Sequence, residues 1–263
     1  MRVRRPAVAG SFYPEHADAL RSAVDGYLHD AHYDGSPPKA IVVPHAGYMY
    51  SGPVAGSGYA AIERLAGVIQ RVLLLGPSHR VPVPGLAVPG VDTFVTPLGP
   101  VEIDAEAREI ALACPGVAVD DVAHAAEHSL EVQVPFLQRA LGTSFRVLPL
   151  AVGDAPPNTV ATVLDALWGG AETLIVVSSD LSHYENDVSA ARHDRRTADW
   201  ILAGDVAAIG PYDACGASAV RGLLTAASRR DLRVALLDLR HSGDTAGPRD
   251  RVVGYGAFAL TSR

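Results

Sequence analysis

The stretch IVVPHAGYMYSG, from Ile41 to Gly52, begins as an unbroken apolar run and then places His45 directly after a proline. About thirty residues later VLLLGPSH, from Val72 to His79, repeats this outline. Uninterrupted apolar runs are typical of strands that are buried on both faces of a sheet. The two segments therefore predict two core strands that each present a histidine at the carboxyl end.

Short apolar runs bounded by glycine or proline recur along the chain and predict six strands, over residues 40–43, 72–75, 147–150, 174–177, 234–237 and 252–260. Patterns with apolar residues three and four positions apart predict helices over residues 52–65, 128–141, 158–167 and 188–202. Residues 81–101, rich in proline and glycine, predict an inserted hairpin. Together these patterns predict an α/β fold, a single domain over 1–263 whose central mixed, mostly parallel sheet carries helices on both faces.

Composition and charge narrow the classes of function. Hydrophobic residues make up 48% and charged residues 19% of the chain, which is an ordinary globular balance. The net charge is −7 and the arginines are scattered, so nucleic acid is not an expected partner. The N-terminal apolar stretch is too short for a signal peptide, and no run approaches the roughly 20 apolar residues of a membrane span. Two cysteines fit a reduced compartment. We expect a cytoplasmic protein without a membrane partner.

Reactive side chains follow several predicted strands. In an open α/β sheet, ligands collect at the carboxyl ends of the strands. Besides His45 and His79, the segment VVSSDLSH places Asp180 and His183 after the strand 174–177, and LRHSGD places a histidine and an aspartate after the strand 234–237. One histidine after a strand is more often a hydrogen-bonded turn residue, but six groups at four strand ends favour a site. The remaining histidines are expected in polar, exposed surroundings.

A metal ion is one ligand that such a site could hold. Two imidazoles, from His45 and His79, together with an anionic group would leave open positions for water, oxygen or substrate. Cys215 precedes a predicted helix start, where the helix dipole favours the thiolate that binds metal. The competing interpretation of Cys215 is a small buried apolar side chain. Cys114, at the end of an amphipathic pattern, is expected to be structural.

Acid and base groups are present in two motifs. Asp180 and His183 fit an acid/base pair in which the carboxylate orients the imidazole. A Ser-His-Asp triad is weakly supported, because no G-x-S-x-G motif is present. In EHSLEVQVPFL, Glu127 and Glu131 fit ordinary capping of a helix start. His128 is less easily explained by capping and is expected to contact either the substrate or a carboxylate.

Taken in order, several stretches resemble the Memo family, also called AmmeMemoRadiSam system protein B. The matching stretches are RRPAVAGSFYP, VVPHAGYMYSG, LLLGPSH, EHSLEVQVPFL, VVSSDLSHY, DACG and GYGAF, and they span essentially the whole chain. The family is similar in fold to the class III extradiol ring-cleavage dioxygenases. The resemblance therefore implies a central mixed sheet with helices on both sides.

The resemblance also implies roles for individual residues. It assigns His45 and His79 as metal ligands, with Cys215 in the position where the ring-cleaving enzymes carry a glutamate. His183 corresponds to their acid/base histidine, and Asp180 and His128 would line the same pocket. A His-His-Cys set suits copper or zinc as well as iron. The family is associated with copper- or iron-dependent redox activity, and a protein partner from a radical-SAM system is expected.

Two functions of different classes follow from these observations. The first is a metal-dependent oxidoreductase, with iron or copper and a small-molecule substrate, in which His183 moves a proton. The second is a metal- or ligand-binding adaptor that retains the pocket without turnover. A zinc hydrolase is a third option. The sequence alone does not identify the substrate or the metal.

Overall fold

The structure is a computed structural model that describes residues 2–262. Its strands are β1 (Val3–Arg4), β2 (Ala40–Val43), β3 (Arg71–Pro77), β4 (Leu86–Val88), β5 (Thr93–Thr96), β6 (Gly99–Glu102), β7 (Val117–Val119), β8 (Arg146–Val152), β9 (Thr173–Ser178), β10 (His183–Glu185), β11 (Leu232–His241) and β12 (Val252–Ser262). Its helices are α1 (Ala17–His29), α2 (Tyr48–Ala60), α3 (Ala105–Leu112), α4 (Asp121–Ala125), α5 (His128–Glu131), α6 (Gln133–Leu141), α7 (Pro157–Leu167), α8 (Asp187–Ala203), α9 (Ala217–Ser228) and α10 (Ser242–Thr245). A short 3-10 turn covers Glu63–Leu65.

A nine-stranded mixed sheet forms the centre of the fold, in the order β10-β12-β2-β9-β3-β8-β4-β7, with β11 also paired to β12. The neighbours β2, β9, β3 and β8 are parallel. Antiparallel pairs, β4 with β8 and β12 with β2, flank this centre. The predicted mixed α/β fold is confirmed, with the parallel pairing concentrated in the middle of the sheet. The carboxyl ends of β2, β9 and β3 consequently lie side by side at one edge.

The alternation of side chains explains why the central strands read as continuous apolar runs. In β9, Ile175 and Val177 pack on one face of the sheet with residues of α7 and α9. Leu174 and Val176 pack on the opposite face with residues of α1, α2 and α6. Successive side chains of a strand point to opposite faces, so a strand covered on both sides must be apolar throughout. These helices hold the sheet rigid beneath the loops that follow its strands.

The predicted elements match the structure closely, with differences at helix ends. All six predicted strands lie within observed strands, and β5 and β6 form the predicted hairpin. The helix predicted from residue 52 begins at Tyr48, and the helix predicted over 128–141 is divided at Val132 into α5 and α6. Within residues 2–262, no helix combines the length and apolar character that crossing a bilayer requires.

A buried carboxylate fastens the N-terminal segment to the body of the protein. Glu131 is 1% exposed and accepts hydrogen bonds from Arg4 Nη1 at 2.7 Å and from the Tyr13 hydroxyl at 2.6 Å. It also accepts from the backbone N–H groups of Ala7 and Val8. Helix capping, which the sequence suggested for Glu131, is therefore wrong. The anchored segment also places Phe12 next to His128, with the two ring centroids 4.6 Å apart.

Candidate metal centre

Three histidine rings converge where the parallel strands end. His45 follows β2, His79 follows β3 and His128 begins α5. The ring centroids of His45 and His79 are 5.2 Å apart, those of His79 and His128 4.7 Å, and those of His45 and His128 5.4 Å. One nitrogen from each ring lies within 4.8 Å of the other two, a spacing that could hold one metal ion. The structure thus brings together two predicted ligands and a third imidazole that was predicted to line the pocket.

The hydrogen bonds around His45 fix its tautomer. Ser178 Oγ donates its single proton to the Ser129 carbonyl at 2.6 Å and accepts from Gln133 Nε2 at 2.8 Å. The contact of Ser178 Oγ with His45 Nδ1, at 2.8 Å, therefore requires an N–H from the ring. His45 carries its proton on Nδ1, so Nε2 offers a lone pair. Burial lowers the pKa of His45 to about 3, which keeps the ring neutral.

A carboxylate holds His79 in the same way. Glu127 Oε1 lies 2.9 Å from His79 Nδ1, and Glu127 Oε2 accepts the backbone N–H of His79 at 2.6 Å. Burial raises the pKa of Glu127, but the hydrogen bonds from His79 and Ser129 outweigh it and lower the pKa to about 2. The ionised carboxylate accepts a hydrogen bond from the Nδ1–H group of His79, which leaves Nε2 free. Carboxylates hydrogen-bonded to metal-ligating histidines orient the rings in this manner.

The third ring, His128, has an unsatisfied polar atom. Its Nδ1 is buried without a hydrogen-bond partner among the described residues, although Glu127 Oε1 lies 3.3 Å away. Burial lowers the pKa of His128 to about 4. A buried ring nitrogen without a hydrogen-bond partner is a costly arrangement without a ligand. The cluster of three imidazoles therefore fits a metal ion.

Cys215 lies against the first of these histidines. Its Sγ is 3.2 Å from His45 Nε2, and it also accepts the backbone N–H of Asp180 at 3.3 Å. Burial, and next the charge of Asp180, raise the pKa of the Cys215 thiol above its ordinary value. The expectation that the helix start favours the thiolate is wrong for this environment, because burial outweighs the dipole of α9. A metal bound through this sulfur would have to displace its proton.

Asp180 and His183 are neighbours of the centre but do not hydrogen-bond to each other. Asp180 Oδ1 accepts the backbone N–H of His45 at 2.7 Å, and its Oδ2 lies 4.0 Å from His45 Nε2. His183 Nδ1 is 2.9 Å from the Leu181 carbonyl, which can only accept, so Nδ1 carries the proton. The expectation that Asp180 orients His183 by a hydrogen bond is wrong. The Leu181 carbonyl does so and leaves His183 Nε2 available.

A pocket of about 390 Å³ opens beside the histidines. Asp180, His128 and His183 line it. Its lining also includes Phe12, Tyr50, Tyr184, Tyr255 and Arg251. These five residues come from four separate segments of the chain, so no local pattern pointed to them. The volume lies in the range of pockets that bind small molecules.

Other polar residues have structural partners. His193 lies between two carboxylates, with Nδ1 2.7 Å from Glu185 Oε1 and Nε2 2.7 Å from Asp213 Oδ1. His124 is 2% exposed. The expectation of exposed surroundings is wrong for both histidines. Asp244, which follows β11, accepts the backbone N–H of His241 at 3.2 Å and so caps α10.

Comparison with known proteins agrees with this architecture. A profile of the Memo-like protein family matches residues 4–259. A MEMO1 family protein of Aquifex aeolicus is 37% identical over 270 residues, covering 97% of this chain and 98% of the relative. A MEMO1 family protein of Methanosarcina acetivorans is 34% identical over 277 residues, covering 99% of this chain and 100% of the relative.

One solved structure shows the fold at greater distance. The crystal structure of an uncharacterized protein from Escherichia coli K12 matches with a TM-score of 0.51 at 12% identity, covering 84% of this chain and 98% of that one. The fold and the histidine cluster define an α/β protein with a large mixed sheet and a candidate metal centre at one edge of it. The chain belongs to the Memo-like protein family.

Proposed function

We propose that this protein is a metal-dependent oxidoreductase acting on a small molecule. The observation that carries the proposal is the convergence of one nitrogen from each of His45, His79 and His128 within 4.8 Å. Hydrogen bonds at Nδ1 of His45 and of His79 fix the direction of both rings, and at His45 the neighbour of Nε2 is the Cys215 sulfur at 3.2 Å. Neutral imidazole is a common ligand of iron, copper and zinc.

We propose His45, His79 and Cys215 as the ligands, with His128 beside them. Cys215 Sγ is 3.2 Å from His45 Nε2, close enough for both atoms to contact one ion. A His-His-Cys set suits copper and zinc as well as iron. Because zinc has no redox chemistry, iron or copper is proposed for the oxidoreductase, with zinc as the alternative. The bound ion would supply the redox chemistry of the reaction.

The chain's own residues would bind the substrate and move its proton. His183 presents Nε2 to the pocket while the Leu181 carbonyl holds the opposite nitrogen, so the ring can accept a proton without turning. Asp180, whose pKa burial raises, lies next to the site and its carboxylate is already engaged by the His45 backbone. His183 is therefore the proposed general base, and Asp180 the group that positions the His45 loop.

The test compares metal content with turnover. Protein purified without oxygen is loaded with Fe(II) or copper, and oxygen uptake is followed across a panel of phenols and catechols. We expect about one ion per chain, oxygen uptake that requires the ion, and a His183→Gln variant that keeps the metal but loses uptake by about 100-fold. Cys215→Ser should weaken metal binding, whereas Cys114→Ser, at the other cysteine, should not.

Other outcomes would support other functions. Saturable metal binding with no turnover across the panel would contradict the oxidoreductase and favour a binding adaptor. Three imidazoles also form the protein ligands of some catalytic zinc sites, which favours a zinc hydrolase as the second candidate. Preferential loading with zinc and hydrolysis that proceeds without oxygen would establish that candidate instead.

A further inference from the structure

One cationic side chain lines the pocket without an ion-pair partner among the described residues. Arg251, directly before β12, lines the pocket, and its guanidinium carbon lies 5.1 Å from the centroid of the Tyr184 ring. Within residues 2–262 no carboxylate forms an ion pair with Arg251. Of the described residues that line this pocket, it is the one arginine or lysine. Its planar set of N–H donors is thus available to a ligand.

A second arginine on the same loop, Arg249, forms ion pairs with two carboxylates. Arg249 lies two positions earlier and is 60% exposed. Its Nη1 is 3.3 Å from Asp187 Oδ2 and its Nη2 is 3.0 Å from Asp244 Oδ1. Arg249 does not line the pocket. Two carboxylates therefore compensate the charge of Arg249, outside the pocket. Among the described residues, no ion pair compensates the charge of Arg251, which lines the pocket.

The ring beneath Arg251 belongs to Tyr184, whose backbone conformation is strained. Tyr184 has a backbone φ of 63°, in the left-handed region that residues with a Cβ avoid, and its side chain is 65% exposed. Such a conformation costs about 1–2 kcal/mol. Burial does not offset this cost, because most of the ring faces solvent. The strained residue contributes instead a flat surface on which the guanidinium is stacked and fixed in direction.

The rest of the pocket suits a flat apolar body. Phe12, Tyr50 and Tyr255 contribute aromatic rings to its lining, and His128 and His183 line it as well. A ring bound among these side chains would present one end to the histidines and the other to Arg251. The anionic group of such a molecule would meet the guanidinium. The net charge of −7 repels anions from the protein as a whole, so this local cation would decide whether one binds.

We propose that the pocket binds a small aromatic carboxylate, whose carboxylate is held by Arg251 and whose ring enters toward the histidines. This inference rests on the proposed function, since it names the substrate class of the same site. A guanidinium matches a carboxylate with two parallel hydrogen bonds, which gives direction as well as charge. Arg251 is accordingly a specificity-determining residue.

The test uses two probes of nearly equal size, para-hydroxybenzoate and para-hydroxybenzamide, of which only the first carries a carboxylate. Their affinities are measured by calorimetry on the full chain, with and without added Fe(II). The wild type should bind the benzoate about tenfold more tightly than the amide. Arg251→Gln should bring this ratio close to one, and Arg251→Lys should retain part of it. Arg249→Gln, on the same loop, should leave the ratio unchanged.

The outcomes separate this inference from the proposed function. A chain that binds no metal but keeps the tenfold preference, and loses it in Arg251→Gln, would refute the metal-dependent function while supporting the carboxylate site. Equal affinity of the wild type for the two probes would overturn the inference, even with metal bound and oxygen uptake observed. So would an unchanged preference in Arg251→Gln, or no binding of either probe at millimolar concentration.

Discussion

Glu127 holds His79 at two points: one carboxylate oxygen lies 2.9 Å from the ring Nδ1 and the other accepts the backbone N–H at 2.6 Å. The ring and the loop that carries it are therefore fixed by a single buried side chain. Since Glu127 also accepts the backbone N–H of Ser129, the same carboxylate starts the helix that bears His128. Two of the three converging imidazoles thus depend on one residue that is not proposed to touch the ion.

Glu127→Gln is expected to weaken metal binding by about 10- to 100-fold. The carboxylate accepts hydrogen bonds from three N–H groups. In the variant, the NH2 group of the amide faces one of these donors and cannot accept from it, so the His79 ring loses its fixed direction. Competition with a chromogenic chelator measures the affinity. Glu106→Gln, an exposed carboxylate in a surface ion pair, is the control and should bind metal like the wild type. Equal affinities for the two variants would contradict the role assigned to Glu127.

Stability should fall in mild acid because of buried neutral histidines. Burial lowers the pKa of His124 from 6.5 to about 4, so the unfolded chain binds its proton first as the pH falls. The stability associated with this ring is complete above about pH 6.5 and decreases toward pH 4, with a slope of about 1.4 kcal/mol per pH unit. His124→Gln should reduce the dependence of stability on pH by this one-proton contribution in urea unfolding of metal-free protein. His16→Gln, at an exposed ring, should keep it.

His193 should show the opposite dependence on pH. Burial lowers its pKa, but the hydrogen bonds to Glu185 and Asp213 outweigh it, and the net pKa is raised. Its contribution to stability is therefore complete below the unfolded pKa of about 6.5 and is lost as the pH rises through the higher folded pKa. We expect His193→Gln to lose about 1 kcal/mol near pH 6 and little near pH 9. A constant loss across this range would contradict the charged bridge.

The buried Glu131 should matter far more to stability than an exposed ion pair. Glu131→Gln would leave Arg4 without its anionic partner in a buried site, and we expect a loss of about 3–5 kcal/mol in the free energy of unfolding. Asp18→Asn breaks the exposed pair with Arg21 and should cost less than about 1 kcal/mol. Urea unfolding measures both. A similar small loss in the two variants would show that the N-terminal segment is not anchored through Glu131.

The sequence predicted those parts of the site that depend on local pattern. His45 and His79 each follow an apolar run, so their positions at strand ends could be read directly, and the parallel pairing of β2, β9 and β3 brings the ends together. Cys215 lies beside the first of them, with Sγ 3.2 Å from His45 Nε2, and its role as a metal ligand stays a prediction. These residues could be predicted because each lies in a short motif whose chemistry can be recognised from the sequence alone.

The remaining contacts depend on which distant segments meet, and no local pattern encodes that. Glu131 looks like a first-turn acid in its own helix, yet its partner is Arg4, 127 residues away. Arg251 and Tyr184 meet because β12 pairs with the three-residue strand β10, which has no strand signal of its own in the sequence. The thiol of Cys215 was misjudged for a related reason, because its burial is set by the surrounding loops and not by its helix.

The attachment of the first strand region to Glu131 has a consequence for synthesis of the chain. Residues 4–13 leave the ribosome well before Glu131 does, and so they wait without their partner while the intervening segments are made. Glu131 itself is made before β8, β9 and β12, so both partners of this contact are present before the central strands of the sheet can all pair. The position of Phe12 beside His128 therefore depends on contacts whose two sides are both encoded in the first half of the chain.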